Sequence, residues 1–201
     1  MSAWSPLNAT PGKRALVAED ETIIRLDLRA LLEAHGYEVC GEARDGLEAV
    51  ELAASLEPDI ILMDVKMPRL DGIDAARRIL ERRAVPIVML TAFGQDELVA
   101  RAVEAGAFGY LSKPFREQDV VSAIVAAQAR HTELAEVRLQ ASSLLEALEA
   151  RKAIERAKGI LMAKEGITED EAFTRLRRAS QKSGRPMKVI ADALAATLGE
   201  R

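Results

Sequence analysis

The chain has 201 residues, enough for one full hydrophobic core and a small additional module. Its composition, 49 % hydrophobic and 30 % charged, is that of a folded, water-exposed chain; no run approaches the roughly 18 apolar residues of a membrane span, and the single cysteine, Cys40, excludes an intrachain disulfide. The net charge of −4 hides an asymmetry, −9 over residues 1–150 against +5 over residues 151–201, which suggests an anionic partner for the tail or else a solvated charged helix surface.

Residues 1–12 lack the basic start and apolar run of a signal peptide. They read as a flexible tail, and the chain is expected in the cytoplasm, with no membrane partner. Over 13–130 short apolar runs alternate with amphipathic stretches. RALVAE precedes the helical TIIRLDLRALLEAHG; YEVCGEA precedes DGLEAVELAASLE; DIILMD precedes GIDAARRILERR; PIVMLTA precedes GQDELVARAVEAG; FGYLS precedes a long helix starting near Arg116. Five such pairs imply an α/β fold, a five-stranded doubly wound parallel sheet with helices on both faces. The near-continuous apolar run of DIILMD suits a strand buried on both sides.

From Glu117 to Ala150 there is neither Gly nor Pro, and Val120, Ile124, Ala127, His131, Leu134, Arg138, Ala141, Leu145 and Leu148 recur at alternating spacings of four and three. The pattern predicts an extended helix that pairs with another helix; a solitary exposed linker is the alternative, because His131 and Arg138 interrupt the seam. Residues 151–201 then read as a small three-helix bundle. Its first helix stops at Gly166. The second opens with Thr168 and Glu171 spaced as a capping box and carries Ala172, Phe173, Leu176 and Ala179 on one face. Ser183-Gly184 breaks the chain before Pro186 and a last helix bearing Met187, Ile190, Ala191, Leu194 and Leu198. Phe173 is expected in the core, which argues against an aromatic platform for single-stranded nucleic acid. Arg175, Arg178, Lys182 and Arg185 share a face while the helix lasts.

Ligands of an open parallel sheet bind outside the carboxyl ends of its strands. Those positions hold Glu19 and Asp20, Asp64, Thr91 and Lys113, one set per successive strand. Crowded carboxylates repel one another and call for a cation, and a hard divalent ion held by few carboxylates fits Mg2+. Asp64 is then the nucleophile on phosphorus, with Lys113 and Thr91 receiving the phosphoryl oxygens. Taken singly, each feature has a plainer reading: a helix cap, a strand former, a turn. Their joint occurrence points to phosphoryl transfer.

Glu19-Asp20, Leu62-Met63-Asp64-Val65-Lys66-Met67-Pro68 with Asp71-Gly72, Leu90-Thr91-Ala92 and Gly109-Tyr110-Leu111-Ser112-Lys113-Pro114-Phe115 resemble the signature set of two-component receiver domains over about residues 13–130. The resemblance implies a flavodoxin-like receiver, a cognate sensor histidine kinase and phosphorylation at Asp64. Asp20, Asp64 and the Lys66 carbonyl would hold Mg2+, with Glu19 binding it directly or through water. Thr91 and Tyr110 would form a switch pair, and Lys113-Pro114 a cis bond. No autonomous enzyme activity is implied beyond self-phosphorylation and self-dephosphorylation. Glu19 departs from the family, which commonly has Asp there.

A second resemblance rests on Arg151-Lys152-Ala153-Ile154-Glu155-Arg156-Ala157-Lys158-Gly159-Ile160-Leu161-Met162, Thr168-Glu169-Asp170-Glu171-Ala172-Phe173, Leu176-Arg177-Arg178-Ala179-Ser180 and Ala191-Asp192-Ala193-Leu194, which look like the ANTAR domain, a three-helix RNA-binding module of antitermination regulators. It implies a homodimer formed on phosphorylation that grips RNA stem-loops in nascent transcripts. Ala157, Lys158, Gly159, Arg178, Ser180 and Arg185 are the RNA-facing candidates, although Ala157 and Gly159 equally suit tight helix packing. A protein-interaction module and a helix-turn-helix DNA reader are the competing readings. The last helix, starting Pro186-Met187-Lys188-Val189-Ile190, is poor in base-reading side chains.

Overall fold

The computed structural model describes residues 12–92 and 106–198, and the chain divides into two compact units between residues 134 and 135. The tail expected over 1–12 and the helix expected over 94–106 lie, apart from Gly12 and Gly106, outside the described residues. In the first unit β1 (Lys13–Ala18), β2 (Tyr37–Ala43), β3 (Ile60–Asp64), β4 (Ile87–Ala92) and β5 (Gly109–Lys113) form one parallel sheet in the order β2-β1-β3-β4-β5. The helices α1 (Thr22–Ala34), α2 (Gly46–Leu56), α3 (Gly72–Arg82) and the start of α4 (Glu117–Glu165) cover it.

The period-two alternation of strand side chains explains why helices lie on both faces. Ile61 and Met63 point with Leu16, Ala18 and Met89 into a layer closed by Ala49, Ala53, Ile73 and Ile79. Ile60 and Leu62 point the other way, with Val17, Val88 and Leu90, into a layer closed by Leu28, Leu32, Val120, Ile124 and Ala127. All of β3 is buried, as its apolar run requires. Strand order reverses between β1 and β3, so the carboxyl ends of these two neighbours open onto one crevice.

The loop after β3 is drawn tightly back on the strand. Gly72 N–H donates to the Val65 carbonyl at 2.9 Å, and a Cβ built at Gly72 would lie 1.9 Å from the Asp64 carbonyl oxygen. Only a residue without a side chain fits there.

The linker and the first helix of the basic module are one element, the 49-residue α4. Nothing between Glu117 and Lys158 breaks it, and the mid-helix Gly159 costs only about 1 kcal/mol relative to Ala. The anticipated seam divides along it. Val120, Ile124 and Ala127 are buried in the first unit, whereas Leu134, Leu145 and Leu148 are exposed. His131 lies edge-on to Phe108, ring centroids 5.3 Å apart.

The second unit adds α5 (Glu169–Ser183) and α6 (Met187–Leu198). The capping box forms as read: Thr168 N–H donates to Glu171 Oε2 at 2.8 Å, and Glu171 N–H to Thr168 Oγ1 at 3.3 Å. Gly184, at φ 66°, ends α5 in the left-handed region, and α6 starts one residue after Pro186. Ala157, Leu161, Ala172, Leu176 and Ala191 form the buried core of this unit. It is narrow and built mostly of alanine. Among the described residues no helix is long and apolar enough to cross a membrane.

Gly72→Ala is expected to destabilise the first unit by about 1–3 kcal/mol through overpacking against a backbone atom. Denaturant unfolding followed by circular dichroism measures this; an unchanged midpoint would show that the loop can move away freely.

Candidate functional site

The crevice between β1 and β3 gathers the expected acids. Glu19, Asp20 and Asp64 each offer a carboxylate oxygen, and the three oxygens lie within 4.8 Å of one another. Glu19 is fully buried and Asp64 nearly so, while Asp20 is exposed. None of the three caps α1, whose N-cap is Glu21 without a side-chain cap. Glu19 Oε1 accepts from Glu21 N–H at 3.3 Å.

Lys113 supplies the balancing charge. Its Nζ lies 2.7 Å from Glu19 Oε2 and 3.2 Å from Asp64 Oδ1. Residue 113 stands on β5, opposite Ala92, with β4 between it and β3. Two strand spacings amount to about 9.6 Å, a gap that the lysine stem closes from one side and the Asp64 side chain from the other. The Glu19 contact is short but off the hydrogen-bonding direction, so this buried Oε2 has no aligned donor.

Electrostatics follow from that crowding. Burial pushes Asp64 above the ordinary carboxylate value and the charge of Asp20 adds to the effect, outweighing Lys113. Burial also raises Glu19, helped by Asp64 and opposed by Lys113. For Lys113 burial works against the charge, yet its close contacts with the Glu19 and Asp64 carboxylates prevail and its pKa is raised. An oxygen without an aligned donor and carboxylates reluctant to ionise together are the marks of a cation site. Glu19, Asp20 and Asp64 therefore fit a hard divalent ion.

Thr91, at the end of β4, is buried; Tyr110, on β5, is 55 % exposed. The side chain of Lys66 is exposed in the loop after Asp64. Lys113-Pro114 is cis, as anticipated.

Three further residues brace this pocket without having been singled out in the sequence. Arg25 is buried in α1; its guanidinium donates to the Glu19 carbonyl at 2.7 Å and to Glu42 Oε2 at 3.2 Å. Asp45 caps α2, accepting from Leu47 and Glu48 N–H at 2.9 and 3.0 Å, and also receives Arg69 Nε at 2.7 Å. Arg69 and its neighbours hold the tip of the loop after β3 to α2, where Gly46 N–H donates to the Leu70 carbonyl at 3.2 Å. Arg69 stands at φ 64°, a conformation that proximity to Pro68 and Asp71 does not by itself announce. Capping patterns could have found Asp45; nothing local marks Arg25.

In the basic module the six candidates are sorted differently from their sequence reading. Ala157 is fully buried, so its small side chain serves helix packing. Lys158 is not presented to solvent: it is buried, and its ammonium joins Glu155 at 2.9 Å and Glu169 at the start of α5. Gly159 is exposed, and a Cβ there would meet nothing within 4 Å, so internal packing does not require glycine. Arg178 and Arg185 are exposed. Ser180 donates to the Arg185 carbonyl at 2.6 Å. The run Arg175, Arg178, Lys182 holds on α5, but Arg185 lies beyond the Gly184 break, and Arg175 is engaged with Glu165. Phe173 is not core: it is 41 % exposed, as is Ala179 in kind, because α5 buries only the strip of Ala172 and Leu176.

Comparison with known proteins divides the chain as its two sites do. Residues 15–125 match the response regulator receiver domain and residues 142–194 the ANTAR domain. The chain is 50 % identical over 192 residues to the transcriptional regulatory protein PdtaR of Mycobacterium tuberculosis, covering 96 % of this chain and 94 % of that protein. The receiver domain of a modulated diguanylate cyclase from Desulfovibrio desulfuricans G20 superposes with a TM-score of 0.55 at 34 % identity, over 59 % of this chain and 95 % of that one. A CheX–CheY–BeF3–Mg2+ complex from Borrelia burgdorferi gives a TM-score of 0.54 at 26 % identity, over 56 % and 87 %. An acidic pocket at the switch point of a parallel sheet, followed by a matching three-helix output module, places the chain in the family of two-component response regulators that join a receiver to an ANTAR domain of the RNA-binding antitermination class.

Proposed function

We propose that Asp64 accepts a phosphoryl group from a cognate sensor histidine kinase, and that the modified chain dimerises and binds RNA stem-loops in the cytoplasm to prevent transcription termination. The observation that carries the first step is the convergence of three carboxylates around the Lys113 ammonium. Asp20, Asp64 and the Lys66 carbonyl would hold Mg2+, with Glu19 beside it. Bound there, Mg2+ neutralises the pocket and the entering phosphoryl oxygens. Asp64 attacks phosphorus in line; the new P–O bond forms as the P–N bond to the kinase's phosphohistidine breaks, the imidazole leaves and takes up a proton, and Asp64 becomes an acyl phosphate. Lys113 stands ready for one oxygen of the transferred group and the Thr91 hydroxyl for another. Tyr110, now largely exposed, would rotate inward once Thr91 moves. The CheY complex, which carries BeF3 and Mg2+, supports the reading, because a tetrahedral fluoroberyllate on a carboxylate has the shape and charge of a phosphoryl group. The chain would catalyse only its own phosphorylation and hydrolysis.

Purified protein given a small phosphodonor and Mg2+ is expected to gain one base-labile, hydroxylamine-sensitive phosphoryl group, and Asp64→Asn to gain none. Equal labelling of the two by intact-mass spectrometry would remove Asp64 as acceptor. Protons should compete with the metal. Since Glu19 and Asp64 are raised above the ordinary carboxylate range of about 4, they hold protons more firmly in the metal-free protein, and Mg2+ must displace them. Affinity is therefore expected to fall as the pH is lowered from about 7.5 through the raised pKa values of these two carboxylates. Calorimetric titration in buffers of different ionisation heat reads both the affinity and the proton release; an affinity that does not fall with pH together with no release of protons would exclude these carboxylates as ligands.

The dimer reading gains support from a seam offset from the anticipated one. Leu134, Val137, Ala141, Leu144 and Leu148 follow strict three–four spacing, and the four large ones are 38–72 % exposed. Glu133 and Arg138 flank it at the positions that meet across a parallel two-stranded coil. Leu144→Asp with Leu148→Asp is expected to leave Asp64 labelling intact and to keep the phosphorylated chain monomeric in sedimentation equilibrium. A persistent dimer would place the contact elsewhere.

A further inference from the structure

We infer that Phe173 and Arg177, on the exposed flank of α5, form a stacking step for an unpaired nucleobase of RNA, an assignment that rests on the RNA-binding reading above. Phe173 is the single aromatic side chain of residues 135–201. It is 41 % exposed, while its neighbours Ala172 and Leu176 fill the core. The core thus makes little use of the ring. Leucine would seal that edge equally well and favours a helix more.

Arg177 lies one turn further along, exposed and without an ion pair among the described residues. On a helix, residues four apart are neighbours, displaced by about 6 Å along the axis. That separation accommodates one flat base between the ring and the guanidinium plane. Stacking on aromatic rings and Arg planes is how proteins hold unpaired RNA bases. The charges along α5 give the base a direction. Its first turn is acidic, with Glu169, Asp170 and Glu171; its second half is basic, with Arg177, Arg178 and Lys182. A phosphate backbone is repelled from the first turn and drawn toward the second half and Arg185 beyond it, which leaves the base over Phe173. The dimer seam proposed above lies on α4, so the ring is free for another partner, and its cationic neighbours favour a polyanion over an apolar protein surface.

The test uses the full chain treated with phosphodonor and Mg2+, with two probes: a pool of RNA hairpins carrying randomised single-stranded loops, and the same stem as a loopless duplex. Phe173→Leu keeps apolar bulk and helix but removes the π-face. It is expected to weaken hairpin binding about ten-fold, with the duplex, the salt dependence and the dimer mass unchanged, and Phe173→Trp to restore hairpin binding. Arg177→Gln should weaken hairpin binding and also flatten its salt dependence by about one unit of slope. Hairpin binding by Phe173→Leu equal to that of the unaltered chain would overturn the stacking step and leave the RNA reading standing. Loss of dimer together with RNA binding in Phe173→Leu would make the ring a protein contact. Failure of the unaltered chain to bind either probe would overturn the RNA reading and this inference with it.

Discussion

Three carboxylates crowd the carboxyl edge of the sheet against one ammonium, and Lys113 must reach across β4 to provide it. Negative charge therefore exceeds positive at a site where two of the three carboxylates, Glu19 and Asp64, are buried, and the excess is what a divalent cation would remove. A buried pair such as Glu19–Lys113 contributes little certain stability, because desolvation offsets the attraction. What the arrangement secures is readiness: a small gain or loss of charge at Asp64 alters the balance of every group it touches. The same imbalance raises Glu19 and Asp64 above the ordinary carboxylate range.

Such a pocket works only if its walls do not relax. The backbone of Glu19 is held from below by Arg25, whose guanidinium also reaches Glu42 on β2. The loop after Asp64 is pinned at its base by Gly72 and at its tip by Asp45 and Arg69. Asp45 serves twice, since the carboxylate that caps α2 is also the anchor for Arg69, and these partners hold it below the usual carboxylate range despite the burial that opposes them. Against these fixed parts stand Thr91, buried at the end of β4, and Tyr110, largely exposed on β5.

The long helix α4 belongs to both cores, giving Val120, Ile124 and Ala127 to one and Ala157 and Leu161 to the other. Between these stretches Val137, Leu139, Leu144, Leu145 and Leu148 are exposed among the described residues. The module at its end buries small residues and spends Lys158 on joining α4 to the first turn of α5. The narrowness of that core displaces a large aromatic to the surface, and basic residues not needed for packing remain available around it.

Strand and helix limits were legible because they depend on local patterns: apolar alternation, the capping carboxylates and hydroxyls, and the Gly184 break. The acidic pocket was legible because parallel topology sends the ends of successive strands to one edge, where the Glu19, Asp20 and Asp64 carboxylates meet the Lys113 ammonium. Side-chain allegiance was not. Whether an apolar or basic residue on α4 or α5 faces a core, a carboxylate or water depends on what lies across from it, and sequence spacing gives only the angle around the helix. Tertiary packing alone buried Ala157 and Lys158, exposed Phe173, buried Val120 while leaving Leu134 exposed, and brought Arg25 under Glu19, because each of those outcomes depends on segments whose distance along the chain says nothing of their distance in space.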